Sequence, residues 1–325
     1  MGTRYIARRV SQAIVTIVMI VLLNFILFRA MPGSPERILA RNPNVTPRAL
    51  EETRQRWGLD KPLFPDQFVA YLEATATGDL GFSFVSARGH PVTEVIGNRL
   101  GPTLLLFGLG ELIAIVVGLG IGAYAGWRRG GVVDFFGNGI SLILYSMPYF
   151  LLGMVLLLLF SSTLHLFPSF GMITNGRRYD SIFAQLGDLG VHLVLPLATV
   201  SLGLIGQYSI LMRSAVIDTL AEDYATTARA KGLPGGRILR NHLLPNALLP
   251  AVTLIAINLG YVVAGAITVE YVFNWPGLGR LTVEALNSRD YPVLQGIFLL
   301  VAISVVIANL IADIVYGYLD PRVRA

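Results

Sequence analysis

"ARAKGLPGGRILRNHLLPN", Ala228 to Asn246, is a compact basic segment wedged between two long apolar runs. Upstream, from Asp218 to Lys231, the pattern is helical. Ala225, Ala228 and Ala230 are strong helix formers, with acidic residues near the start and basic ones near the end to match the helix dipole. Gly232 falls where a left-handed residue closes a helix, Leu233 is its hydrophobic partner, and Pro234 forbids continuation. A second short helix, Arg237 to Leu244, is expected to run until Pro245 ends it. The segment therefore reads as two short helices held at an angle. Tipped with Arg229 and Lys231, such a pair could rest on anionic lipid. It could equally fit a groove on a protein, because lipid requires no fixed angle between helices.

The surroundings are those of a membrane protein. Of 325 residues, 54% are hydrophobic and 14% charged, and the mean hydropathy of +0.63 lies outside the range of soluble domains. A helix crossing the roughly 30 Å hydrocarbon core needs about 20 apolar residues. Six runs qualify: Val10 to Phe28, Thr103 to Trp127, Ile140 to Ser161, Val191 to Leu211, Ala247 to Val269 and Val293 to Tyr316. The first follows Arg4, Arg8 and Arg9, yet its apolar core is long and "FRAMPG" offers no small-residue cleavage site, so it reads as a retained anchor. Arg128 and Arg129, the cluster from Arg213 to Arg240, and Arg322 and Arg324 fall on the same side as the N-terminal arginines. By the positive-inside rule that side is the cytoplasm, which places both termini inside a multi-pass plasma-membrane protein.

Three regions result: 1–31 as tail and first helix, 32–102 as a long extracytoplasmic loop, and 103–325 as a helical core carrying a cytoplasmic loop at 214–246. The outer loop is expected to be partly helical. "TPRALEETRQRWGL" begins with Thr46 as N-cap and Pro47 at the first helical position, and "PDQFVAYLEAT" places Phe68, Tyr71 and Leu72 on one face. Within the spans, Gly118, Gly122 and Gly126 are four apart, a spacing that lets helices approach closely. Pro148 in "YSMPYF" is expected to kink the third span.

Ionisable residues inside spans are functional candidates by default. Arg29, Glu270 and Asp313 lie close enough to an interface to snorkel or pair structurally, whereas Glu111 sits deeper and needs a water-filled cavity or a partner such as Gln207 or Tyr208. Glu111, Gln207, Tyr208, Asn258 and Tyr261 are the candidates to line a pathway; the last four could also serve as hydrogen bonds between helices. The chain has no GxxxxGK[ST], HExxH or GxSxG, and His90, His165, His192 and His242 lack metal-ligand spacing. Nothing points to catalysis or to a nucleic-acid surface.

The opening stretch resembles the EAA loop of ATP-binding-cassette import permeases. The pattern reads here as Thr227, Ala228, Gly232, Leu244 and Pro245, with Thr226 and His242 where the general loop prefers Glu and Ile. "ARAKGL", "VEYVFNWPGLGRLTVEALNSRDYPVLQG" (Val269 to Gly296), "DIVYGYLDPRVR" (Asp313 to Arg324) and the outer-loop "GLDKPLFPDQ" and "GDLGFS" are similar to the peptide and nickel branch, first-subunit type. The resemblance implies an all-α, six-helix type I importer permease that pairs with a second homologous permease. It implies that Thr227, Ala228, Arg229, Ala230, Lys231, Gly232 and Leu233, with Leu244 and Pro245, dock on one of two ATPase subunits, which alone bind ATP and Mg. It further implies an extracytoplasmic binding protein delivering peptide to loops around Trp275, Pro276, Arg280 and Tyr291. A nickel chelate or glutathione is an alternative cargo within the same family. A proton-coupled secondary transporter using Glu111 or Asp313, and a scaffold without transport, are the competing classes; neither needs a motor-docking loop.

Overall fold

The computed structural model describes residues 3–30, 51, 61–85, 87, 89–265 and 267–319. These are almost wholly helical; among them the only extended pairing is an isolated bridge between Phe82 and Pro91. The first helix, α1, spans Thr3–Ala30. The described part of the outer loop carries α2 (Phe68–Thr77), and the predicted helix around Thr46 lies outside the described residues. Helix α3 (Val92–Trp127) and helix α6 (Ile182–Leu220) form the central pair, with α4 (Val132–Ser146) and α5 (Tyr149–Leu156) between them. The basic segment contributes α7 (Asp223–Ala230) and α8 (Gly235–Ile238) and leads into α9 (Leu244–Val262). Two short helices, α10 (Ile267–Val272) and α11 (Leu278–Ser288), precede the last long one, α12 (Tyr291–Leu319).

Among the described residues, five helical segments are long and apolar enough to cross a membrane: α1, α3, α6, the stretch Gly235–Val262, and α12. The expected third span is not a kinked rod. Helix α4 and the helical stretch Tyr149–Thr163, which α5 begins, meet at 106°, because Met147 and Pro148 are both extended: the residue before a proline is driven out of the helical region, and proline itself has no N–H to continue the ladder. Counted as one broken crossing, the pair makes six.

The central pair owes its closeness to glycine. A Cβ on Gly118 would lie 2.7 Å from the Tyr208 Cβ, and one on Gly126 would lie 2.8 Å from the Arg213 carbonyl oxygen. One on Gly122 would run into the Ser209 carbonyl. Gly110 extends the same stripe two repeats outward, against Val200, with Ala114 between. Small side chains at four-residue spacing let two backbones touch, which supplies dispersion contact where lipid offers no hydrophobic drive.

Two boundaries differ from expectation. The helical stretch predicted from Asp218 to Lys231 is broken: α6 runs through Leu220, Glu222 turns extended, and α7 restarts at Asp223. Two consecutive acidic residues, Glu222 and Asp223, suit the positive end of a new helix. Pro245, expected to end a helix, instead occupies the first turn of α9, where its missing N–H costs no intrahelical bond. A wide i→i+5 turn over Leu239–Leu243 makes the join. In α2, Phe68 and Tyr71 pack on Phe25 of α1, at ring-centroid distances of 5.2 and 5.4 Å, while Leu72 is exposed rather than sharing their face.

Candidate functional site

The charged loop closes as its residues dictate. Gly232 is left-handed at φ +72°, its N–H donates to the Arg229 carbonyl at 2.9 Å, and the Leu233 N–H reaches the Ala228 carbonyl at 3.4 Å. These are the two bonds of a Schellman cap. Beneath the cap, Ala225, Ala228, Ile238 and Leu243 are buried together, with Trp127, Tyr224, Leu233 and Leu239 packed around them. The loop is therefore anchored to the end of α3 through Trp127. Thr227, Arg229, Ala230, Lys231 and Gly232 remain exposed, as does Pro245, and Leu244 is half-buried. An apolar underside with a cationic, sharply turned tip is a rigid protrusion.

Deeper in the bundle, Glu111 finds one of the partners expected for it. Tyr208 donates its hydroxyl to Glu111 Oε1, Asn258 donates to Tyr208 Oη at 3.0 Å and to Gln207 Oε1 at 3.4 Å. Glu111 on α3, Tyr208 and Gln207 on α6 and Asn258 on α9 thus form one polar tie across three helices. Glu111 and Tyr208 are buried. Tyr261 stands apart, 57% exposed.

At the opposite end, Glu270 is completely buried and organises the turn between α10 and α11. It accepts from Thr103 Oγ1 at 2.7 Å and from the Arg280 N–H at 2.9 Å, while Thr103 Oγ1 accepts from the Leu278 N–H at 2.7 Å. Burial pushes the Glu270 carboxyl above its ordinary range, and these hydrogen bonds oppose that rise. Gly277 leaves room for the carboxylate, which a Cβ would strike. Trp275 is also completely buried, its indole donating to the Pro102 carbonyl at 2.9 Å. It is therefore a core anchor, not the surface contact suggested by the sequence. Tyr291 is buried too; Arg280 is half-exposed and bonded to Glu284 at 2.7 Å, and Pro276 is half-buried.

Residues 118–325 match the family described as "Binding-protein-dependent transport system inner membrane component", and residues 2–106 match the N-terminal membrane component of such systems. The chain belongs to this family. The dipeptide transport system permease protein DppB of Escherichia coli K12 is 37% identical over 340 residues, covering 99% of this chain and 98% of that one. The glutathione transport system permease protein GsiC of Pectobacterium atrosepticum is 36% identical over 320 residues, with 98% of each covered. In structure, the chain is similar to one from the inward-facing MetNI methionine ABC transporter, with TM-score 0.55 and 17% identity over 70% of this chain and 97% of that one. That likeness is one of fold: a type I importer permease.

Other groups stabilise this inner membrane component without having stood out in the sequence. Asp134 on α4 holds Arg213 on α6, with Nη2 to Oδ2 at 3.0 Å, and accepts from the Gly130 N–H at 2.9 Å. Asp188 gathers the Thr174 N–H and hydroxyl, Tyr179 Oη and Arg177 at 2.7 to 3.2 Å. Asp290 accepts from Ser83 Oγ at 2.6 Å and from the Phe84 and Val85 N–H groups at 3.1 Å, fastening the outer loop to the start of α12. Asp313 pairs with Arg9 at 3.2 Å, the structural pairing expected of it. Asp134 and Asp290 join segments 79 and 207 residues apart, and even the partners of Asp188 stand 9 to 14 residues away, so no helical repeat announces these three. Among the described residues, no three His, Cys, Asp or Glu side chains gather as a metal site.

Proposed function

We propose that this chain is one permease subunit of an ATP-driven importer for short peptides in the bacterial inner membrane. It forms half of the translocation pathway, a second homologous permease forms the other half, and both termini lie in the cytoplasm. The observation that carries the reading is the capped, cationic protrusion of α7 and α8, in a chain of this family whose relatives are named for dipeptide and glutathione transport. Both cargoes are short peptides. The protrusion docks into a groove on an ATPase subunit. When two such subunits close on ATP, the protrusion moves with them. Its apolar underside on Trp127, and the glycine stripe joining α3 to α6, carry the displacement into the bundle. Peptide enters from an external binding protein, which meets the outer face around Arg280 and Pro276. ATP and Mg stay on the partner chains.

The test is co-purification of the tagged chain from native membranes, followed by mass spectrometry and an ATPase assay. A second permease and ATPase chains are expected, and they should be lost on replacing Arg229 to Leu233. Isolation of a lone, ATPase-silent protein that moves substrate down a proton gradient would replace this reading with secondary transport.

A further inference from the structure

Lipid contact in this chain has a recognisable composition. From Leu104 to Ile121 of α3 every exposed residue is apolar or glycine, and from Ile17 to Phe28 of α1 every exposed residue is apolar. Helix α9 departs from that rule. It packs on α6 through Ala247, Leu254 and Ile255 and on α12 at Gly260, and it leaves one line uncovered: Asn246, Pro250, Thr253, Ile257 and Tyr261 are all exposed. Their spacing of three or four keeps them on one face. Thr253 stands halfway along α9, nine residues from Leu244 and nine from Val262, a depth at which lipid offers a hydroxyl no partner.

Helix α6 carries a matching line. Gln207 and Leu211 are half-buried, Ser214 and Asp218 are exposed, and the intervals are again three and four. The faces on which the two helices meet follow from their packing: Tyr208, Met212 and Ala215 on α6, and Ala247, Leu254 and Ile255 on α9. At about 100° per residue, each line precedes its contact face by roughly a quarter turn. The end of α6 and the start of α9 lie together, with Leu220 and Leu244 packed in one cluster, so the helices run in opposite directions. Equal offsets then fall on the same side of the pair. The α6 line starts at Gln207, whose Oε1 accepts from Asn258 of α9 at 3.4 Å, and from there both lines run to the cytoplasmic end at Asp218 and Asn246.

We propose that these two lines border the peptide route between the Gln207–Asn258 amide pair and the cytoplasm, and that the amide pair holds the passing backbone. This rests on the importer reading given above and names the residues that meet its cargo. A side-chain amide carries the same donor and acceptor as a peptide group. It therefore binds a backbone whatever the side chains are, which suits a cargo defined by being short rather than by its sequence. With Gln207 Oε1 engaged by Asn258, the Gln207 Nε2 group donates to a peptide carbonyl. The hydroxyls of Ser214 and Thr253 serve the water and peptide that pass below.

The chain has no cysteine, so a single introduced thiol reports on a single position. In the assembled transporter held in lipid nanodiscs, Ser214→Cys and Thr253→Cys are treated with a small cationic methanethiosulfonate, and the mass of this chain gives the extent of modification. Val116→Cys is the control: Val116 is exposed on α3 and lies at the depth of Thr253, since Ile115 and Leu254 share one cluster. Both line positions should react at least about tenfold faster than the control, because a thiol in apolar surroundings resists ionisation, and the modified Thr253→Cys transporter should import more slowly in liposomes. Gln207→Met keeps the volume and deletes the amide. Its uptake should fall about fivefold, the worth of one hydrogen bond, and by the same factor for dipeptides with unlike side chains, with assembly intact. Thr253→Cys reacting no faster than Val116→Cys would mean that lipid or the second permease covers the line, and would overturn the proposal. So would unchanged uptake by Gln207→Met, or a loss confined to one dipeptide. Uptake by the parent complex in the same liposomes tests the importer reading separately, so the two failures are distinguishable.

Discussion

Gly232 shows how a single residue sets the shape of the protrusion. No atom lies within 4 Å of where its Cβ would be, so the requirement for glycine is one of backbone conformation alone. Gly232→Val should cost about 1–2 kcal/mol at the cap, the usual penalty for a side chain in left-handed geometry. Gly232→Asn, which tolerates that geometry, should cost far less. If both variants assemble and Val alone loses peptide-stimulated ATPase activity, the cap transmits force; equal activity in the two would remove that role. Gly122 is the opposite case. Its φ is ordinary, but a Cβ would collide with the Ser209 carbonyl. Gly122→Leu should lower the melting temperature through about 1–3 kcal/mol of overpacking, while Gly120→Leu, where nothing lies within 4 Å, should be nearly silent. A thermal-melt comparison of the two decides it.

At the scale of elements, the polar tie between α3, α6 and α9 is the part most open to measurement. Glu111→Ala strands the Tyr208 hydroxyl and Tyr208→Phe strands the buried Glu111, so each should destabilise by about 1–3 kcal/mol. The double variant should cost less than the sum, because each loss removes the other's need for a partner. Additive losses in a double-mutant cycle would mean that the two groups do not act together. The same variants address the pathway: if Glu111 borders the route of peptide, Glu111→Ala lowers uptake even where assembly is intact. Unchanged uptake confines Glu111 to holding helices. Glu270 is a comparable tie in the outer turn. Glu270→Gln brings an amide donor against either the Thr103 hydroxyl or the Arg280 N–H, and should lower the melting temperature by an amount equivalent to about 1–3 kcal/mol.

For the molecule as a whole, orientation is the decisive quantity, and the absence of cysteine from the sequence makes it easy to read. Arg178 and Arg240 are both exposed at opposite ends of the bundle. In intact cells an impermeant maleimide should label Arg178→Cys and leave Arg240→Cys unmodified until the membrane is opened. The reverse pattern would put the protrusion outside, where no ATPase could reach it, and the importer reading would fall with it.

Much of this architecture was legible in the residues themselves. Runs of about 20 apolar residues must become helices in lipid, because unpaired backbone groups there are too costly. Gly232 followed by Leu233 and Pro234 can hardly make anything but a capped stop, since those three residues leave the backbone few alternatives. The four-residue glycine spacing announced a close helix contact for a similar reason. What only the tertiary structure decided was which partner each group would meet. Trp275 looked like a surface contact until Pro102, 173 positions away, proved to hold it in the core. The ties at Asp134, Asp188 and Asp290 were invisible because a carboxylate's partners are chosen by proximity in space, and proximity across separations from 9 to 207 residues is a property of the packed bundle rather than of any helical repeat.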